Sequence, residues 1–422
     1  MNRSKPVTAL LEKGVTLLRP ETVDIGEDVQ LDQISCRNVV LYPGVRIYGC
    51  ETVLSPGVQL GREGPVIVEN CQLGRSCELK AGYFSSSAFL DGCVVNGGAH
   101  VREGCLLEEE TKAGHTVGLK QTILFPYVTL GSLINFCDCL MAGGTGRKNH
   151  SEVGSGYVHF NFTPQQDKAT ASLIGDVPRG VMLRERPIFL GGQGGLVGPS
   201  RIGYGTVIAA GVVYREDCPE GNVLITGATG KASRKGEYRP GMYGDIRRRL
   251  DNNLAYLANL LALKQWYIHV RRPFYQGDKT AGTVYGGAMQ VLEEAFRERL
   301  KRLDELAERM EGSLLQVERF IKGPEREKIM REQRRFMERW PVIRQYLAAN
   351  PEASLGVEER RLFLEQCGET AGREGGYLST IRALAPGAVV LGERWLAHIV
   401  LGITDLSRSI LTGEKSGNED CL

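Results

Sequence analysis

The chain has 422 residues, with 52 Lys plus Arg against 50 Asp plus Glu and a formal net charge of +2. That balance excludes the strongly basic footprint of a protein whose main partner is nucleic acid. No apolar run approaches the roughly 18 uninterrupted residues of a membrane span. The eleven cysteines include no CxxC pair, and the opening MNRSKPVTALLEKG lacks a signal-peptide core, so the expectation is reduced thiols in a cytoplasmic protein. Cys137-Asp138-Cys139 has no second Cys/His pair at a useful spacing, and no metal is expected.

Up to residue 227 glycine is frequent and an aliphatic residue recurs at a step of about six, with Gly, Asp or a small residue beside it. VDIGEDVQL, LYPGVRIYG, VLSPGVQLG, CQLGRSCEL, LFPYVTLGS and SRIGYGTVIAAGVV carry this word. Three such hexapeptides close one triangular coil of about 18 residues, whose aliphatic residues stack on the next coil at ordinary strand spacing. The expectation is a left-handed parallel β-helix over residues 1–227. Polar stretches at 141–152 (MAGGTGRKNHSE) and 160–171 interrupt the rhythm and are expected as loop excursions from corners.

Residues 228–245 read as a linker. From 246 to 422 the apolar period changes to 3.6, exemplified by Leu250, Leu254, Leu257 and Leu261, and predicts an α-helical domain packed on itself or on the β-helix. One helix is expected to end near Pro341. Trp266, Trp340 and Trp395 are expected as core anchors, with His269 and His398 as core or face residues. The role open to this domain is docking of an unidentified protein.

Three segments in one order, GVTLLRPETVDI (14–25), EVGSGYVHFNF (152–162) and GTVIAAGVVYRED (205–217), resemble the acetyltransferase domain of the bifunctional glucosamine-1-phosphate acetyltransferase and N-acetylglucosamine-1-phosphate uridylyltransferase family. The resemblance implies a homotrimer that binds acetyl-CoA at subunit junctions and N-acetylates an amino-sugar phosphate. The first residues already read as β-helix, so uridylyl transfer is not expected.

Arg102 and Lys120 stand 18 residues apart, one coil, which puts two cations on one face. They resemble the family's phosphate-gripping pair, a spacing suited to a dianion. Asn161 matches a loop Asn, although the following Tyr is here Phe162. Lys168 lies one position beyond the family's Lys, and Asn135 is a candidate amide contact to the sugar. Ser155, Gly192, Ala209 and Ala210 are the implied acyl-CoA contacts, Gly192 standing where a Ser is expected. The glycines of GGQGGLVG (191–198) are read as a flat wall whose backbone N–H groups could stabilise an oxyanion.

The general base is open. Lys112-Ala113-Gly114-His115 resembles the run ending in the family's catalytic His, but Gly118 replaces the Tyr three residues on. Counting from Lys120 puts that His near 132 to 136, where the chain has none. His150 and His159 are the alternatives. Other readings are an acyltransferase for a different acceptor, or a non-catalytic trimeric β-helix that binds a sugar nucleotide or serves as a platform.

Overall fold

The structure is a computed structural model that describes residues 4–227, 237–277 and 279–413. Positions 228–236 of the expected linker lie outside the described residues, as do 278 and 414–422 of the helical segment.

Helix α1 (Lys5–Lys13) covers the first coil with Val7 and Leu10, and Gly14 ends it in the left-handed conformation that its missing Cβ permits. Parallel coils follow, each paired with the one above and below. The first face comprises eleven two-residue strands, from Thr16–Leu17 to Leu224–Ile225. The second runs from Asp24–Ile25 to Val213–Tyr214, and the third from Val53–Leu54 to Arg201–Ile202. The parallel β-helix and the helical C-terminal region expected from the sequence are both present. On the first face Leu41, Leu60, Leu79, Val95, Leu130 and Leu190 form a fully buried inward ladder.

The third face differs because both residues of its strand pairs are buried: Val53-Leu54, Ala88-Phe89, Leu106-Leu107, Leu140-Met141. Successive side chains point to opposite sides, so one member enters the coil and the other needs a cover. The cover is helical. An insertion after Ile174 carries the single turn α2 (Val177–Gly180), which hands its Val177 N–H to Asn259 at 2.8 Å. Asn259 lies on α3 (Arg247–Trp266), and α4 (Lys279–Phe320) runs along the same face. A Cβ at Gly287 of α4 would collide with the Gln72 side chain, a measure of how closely helix and coil approach.

Helices α5 (Pro324–Ala348), α6 (Val357–Glu374), α7 (Tyr377–Ala383) and α8 (Pro386–Thr412) complete the layer. The expected stop near Pro341 does not occur. Trp340, Ile343 and Leu347 continue one buried face through the proline, which forfeits a hydrogen bond without ending the helix. Trp266 and Trp395 are fully buried 6.3 Å apart around Phe363. His269 is half-buried with its ring edge on Trp395, and His398 lies 3.5 Å from Glu359. Among the described residues α8 alone is long and apolar enough to cross a membrane; Trp395, Leu396, Ile399 and Ile403 pack its apolar stripe into the core.

Two buried ion pairs pin the helices to the coils. Arg271, fully buried, bonds Glu109 through both terminal nitrogens (2.7 and 3.1 Å) and Glu108 at 2.8 Å, while Tyr267 donates to Glu108 at 2.6 Å. Burial pushes the Glu108 carboxyl up to about 7, with Arg271 working against it. Arg299 of α4 meets Asp138 at 2.7 Å, both nearly inaccessible. Truncating one partner of such a cluster strands the others. Arg271→Met is expected to cost about 3–5 kcal/mol in urea denaturation. Adding Glu108→Leu and Glu109→Leu is expected to recover most of that loss.

Candidate functional site

The corner between the first and second faces gathers four of the expected residues into a column. Going up the coils it reads Gly97, His115, Ser132, Ser155, Gly192, Ala210, with Ala209 beside the last. Side chains link it: His115 Nδ1 lies 2.6 Å from Ser132 Oγ, and Ser155 Oγ accepts the Ser132 N–H at 3.1 Å. His115 is exposed, and its Nε2 has no hydrogen-bond partner among the described residues. The two registers weighed for the base therefore meet in space. Position 132, where counting from Lys120 places a His, is a Ser whose hydroxyl touches the His115 ring of the coil below it.

The glycines of 191–198 answer to stacking. A Cβ at Gly191 would lie 2.4 Å from the Ala210 nitrogen, and one at Gly154 would lie 2.4 Å from the Gly192 nitrogen. The N–H groups of Gly191, Gln193 and Gly195 donate to Ile208, Ser155 and Val212 carbonyls at 2.8, 2.8 and 2.9 Å. Groups held in coil-to-coil bonds cannot serve an oxyanion, so for these three positions that expectation is corrected.

The second face carries the expected acceptor contacts. His100, Gly118 and Asn135 stack in register, and the outward column two residues on is Arg102, Lys120, Cys137. Arg102 and Asn135 are exposed, and the spacing argument for the cation pair holds. Lys120 is not free, however: its ammonium lies 2.5 Å from the Glu103 carboxylate. Asn161 and Lys168 belong to the excursion at the next corner, between the second and third faces. There Asn161 Nδ2 donates to Asp138 Oδ2 at 2.7 Å, and Lys168 is exposed. Cys137 and Cys139 are separated by the corner at Asp138, whose φ is +57°.

His150 is at the third corner, away from all of these. The 141–152 excursion folds as a hairpin, Gly144–Gly146 against Asn149–His150. Arg147 clamps it to the carbonyls of Glu110 and Tyr127 and to Thr129 Oγ1. Burial and the Arg147 charge hold His150 below the usual histidine range. The third corner also bears a cleft of about 560 Å³ between coils and helices, lined by Asp91, Glu109, Tyr275, Tyr377 and Arg382. None of the sequence-derived candidates lines it.

His159 is removed from the candidates by its position. It is part of the inward ladder of the second face, between Phe136 and Leu196, and is 2% exposed. Its Nδ1–H donates to the Cys137 carbonyl at 2.5 Å, so its Nε2 accepts from the Ser172 hydroxyl at 2.8 Å. Strand alternation puts it inside while its neighbour Phe160 is exposed.

The sequence reading passed over His100. It precedes Arg102 by two residues, which on a strand means the same side, and this was a usable signal. The exposed His100 ring stacks on Tyr83 at 5.1 Å, and Tyr83 donates to Glu69 at 3.0 Å. Gly118, which carries no side chain, stands between His100 and Asn135 in that column.

Burial depresses the His159 pKa to about 4 from an ordinary 6.5. The unfolded chain therefore takes up a proton that the folded one refuses, and stability falls as pH drops from 6.5 to 4. The expected loss is about 3 kcal/mol, read by chemical denaturation across that window, and His159→Gln is expected to abolish this component.

No family model matches the chain. It is similar to the Bifunctional protein GlmU of Pelobacter propionicus, 29% identical over 228 residues, which are 54% of this chain and 44% of that protein. The Bifunctional protein GlmU of Thermotoga maritima is 28% identical over 217 residues, 51% of this chain and 43% of its own. That of Nitratidesulfovibrio vulgaris is 26% identical over 230 residues. The chain thus matches less than half the length of these relatives. Over about half of its own length it is a hexapeptide-repeat β-helix that resembles the GlmU proteins.

Proposed function

We propose that the protein is an acetyl-CoA-dependent acyltransferase that N-acetylates an amino-sugar phosphate, acting as a cytoplasmic homotrimer. One observation carries this reading: Arg102, Lys120 and Asn135 share an open face bordered by the His115–Ser132 corner. In the reaction the acceptor amine attacks the thioester carbonyl carbon. The amine's surplus proton passes to the imidazole acting as general base, the C–S bond breaks, and CoA departs as a thiolate that the imidazolium protonates to the thiol. The sugar phosphate lies against Arg102 and Lys120, displacing Glu103 from the lysine. The thioester arm runs along Ser155, Gly192, Ala209 and Ala210. Exposed Phe160 and Val213 on one side of that column, and Phe189, Val207 and Leu224 on the other, suit a neighbouring subunit closing the groove.

A second reading is favoured by the committed N–H groups and by the missing Tyr: a β-helix that binds a sugar nucleotide, or a platform, without turnover. An acyltransferase for another amine or hydroxyl acceptor is the third, since the altered positions border the acceptor.

Thiol release from acetyl-CoA with a panel of amino-sugar phosphates separates these. His115→Ala is expected to lower kcat by about 10²–10⁴, with His150→Ala near wild type. If His100→Ala takes the loss instead, the base is His100. Lys120→Ala is expected to raise the acceptor KM about tenfold or more, and Glu103→Gln to lower it. Absence of turnover with every acceptor, together with no acetyl-CoA binding by calorimetry, sinks the enzyme reading. A monomer by light scattering removes the intersubunit groove.

A further inference from the structure

The 160–171 excursion has few bonds of its own. Thr163 donates to Asp167 at 2.5 Å, and Asp167 accepts the Ala169 N–H at 3.2 Å. An irregular segment of this length would ordinarily be mobile, because fixing each residue costs about 1–2 kcal/mol.

Here it is held from the helical side. Gln165 donates to Met242 O at 3.0 Å and accepts the Gly241 N–H at 2.6 Å. Arg309 of α4 donates to the Gln165 carbonyl at 2.9 Å, and Asn253 of α3 donates to Ala169 O at 3.0 Å. The strongest tie is Arg299, 2% exposed on α4. One terminal nitrogen meets Asp138 Oδ1 at 2.7 Å and the other meets the Lys168 carbonyl at 3.1 Å. The second oxygen of that same carboxylate accepts from Asn161 Nδ2 at 2.7 Å. A carboxylate only accepts, so the Asn161 amide nitrogen has to face it, and the amide oxygen is left as an acceptor for a ligand N–H.

We propose that the helical domain is a splint for this excursion, and that Arg299 is a positioning residue that acts through Asp138 to orient Asn161 toward the ligand. The identity of the ligand, the amino-sugar phosphate acceptor, rests on the function proposed above; the splinting does not. It gives the helical half of the chain a task at the site that its packing alone does not reveal. The relay crosses the domain boundary through a buried charge pair, which loses far more when one member is cut than an exposed pair does.

The test uses the full chain with Arg299→Gln, Asn161→Ala, their double variant and Gln165→Ala, the last a partly exposed side chain that leaves the core intact. Affinity for glucosamine-1-phosphate, the acceptor probe, is read by calorimetry and the protection of residues 160–171 by hydrogen exchange. Each of Arg299→Gln and Asn161→Ala is expected to weaken binding roughly tenfold, and the double variant no further, since both cut the same relay. Arg299→Gln and Gln165→Ala are expected to speed exchange in 160–171 while the coils keep their protection. Full additivity of the two binding losses, or unchanged affinity in folded Arg299→Gln, overturns the relay. Unchanged exchange in both variants overturns the splint. If Arg299→Gln does not fold, Gln165→Ala decides by exchange. If the wild type does not bind glucosamine-1-phosphate, the amino-sugar phosphate reading of the proposed function fails and exchange alone judges the splint.

Discussion

Each coil of this protein sets its inward side chain over that of the coil beneath, at the strand spacing of about 4.8 Å that the backbone hydrogen bonds impose. That constraint decides residue types column by column. It selects leucine for the interior of the first face and leaves only backbone at Gly154 and Gly191, where a neighbouring coil's nitrogen occupies the place of a Cβ. It also makes a core residue of His159, in a column whose neighbours are Phe136 and Leu196. A histidine there has to stay neutral and keep both ring nitrogens bonded, and Cys137 O and Ser172 Oγ provide that.

The same stacking leaves a long solenoid with three outer faces, and the chain treats them differently. The third face is apolar on the outside as well as the inside, so it needs a second layer, which α3 and α4 supply. The charges buried at that junction are paired and hydrogen-bonded, as buried charges have to be. Arg271 answers two adjacent carboxylates and Arg299 one. Because the helices choose the third face, the first and second faces and the corner between them stay open, and that corner is the one with the His–Ser–Ser column.

Part of this was legible in the residues. The doubled apolar words of the third face, such as Leu106-Leu107 and Leu140-Met141, mark a strand buried on both sides. The 18-residue step from Arg102 to Lys120 gave their shared face, because the one coil that separates them has the ordinary length. The partner of Lys120 was harder to see. Glu103 follows Arg102 directly in sequence, yet it reaches the lysine of the next coil, a contact that exists only once the coils stack. Pro341 misled for a related reason: local preference argues for a stop, and burial of Trp340, Ile343 and Leu347 outweighs the one bond lost.

The sequence by itself determined the β-helix, the change to helical periodicity and the cation pair, because each follows from a local repeat that needs no knowledge of the rest of the chain. The tertiary structure alone decided where each of the candidate histidines lies, on a corner or in the interior. From Thr129 to Glu152 the next coil takes 23 residues, and from Glu152 to Phe189 it takes 37, so counting along the chain loses register where the excursions begin. His115, His150 and His159 are close in number, but they end on one corner, on another corner and in the interior. Only the hydrogen bonds between coils, which ignore how much chain loops out between them, assign those places.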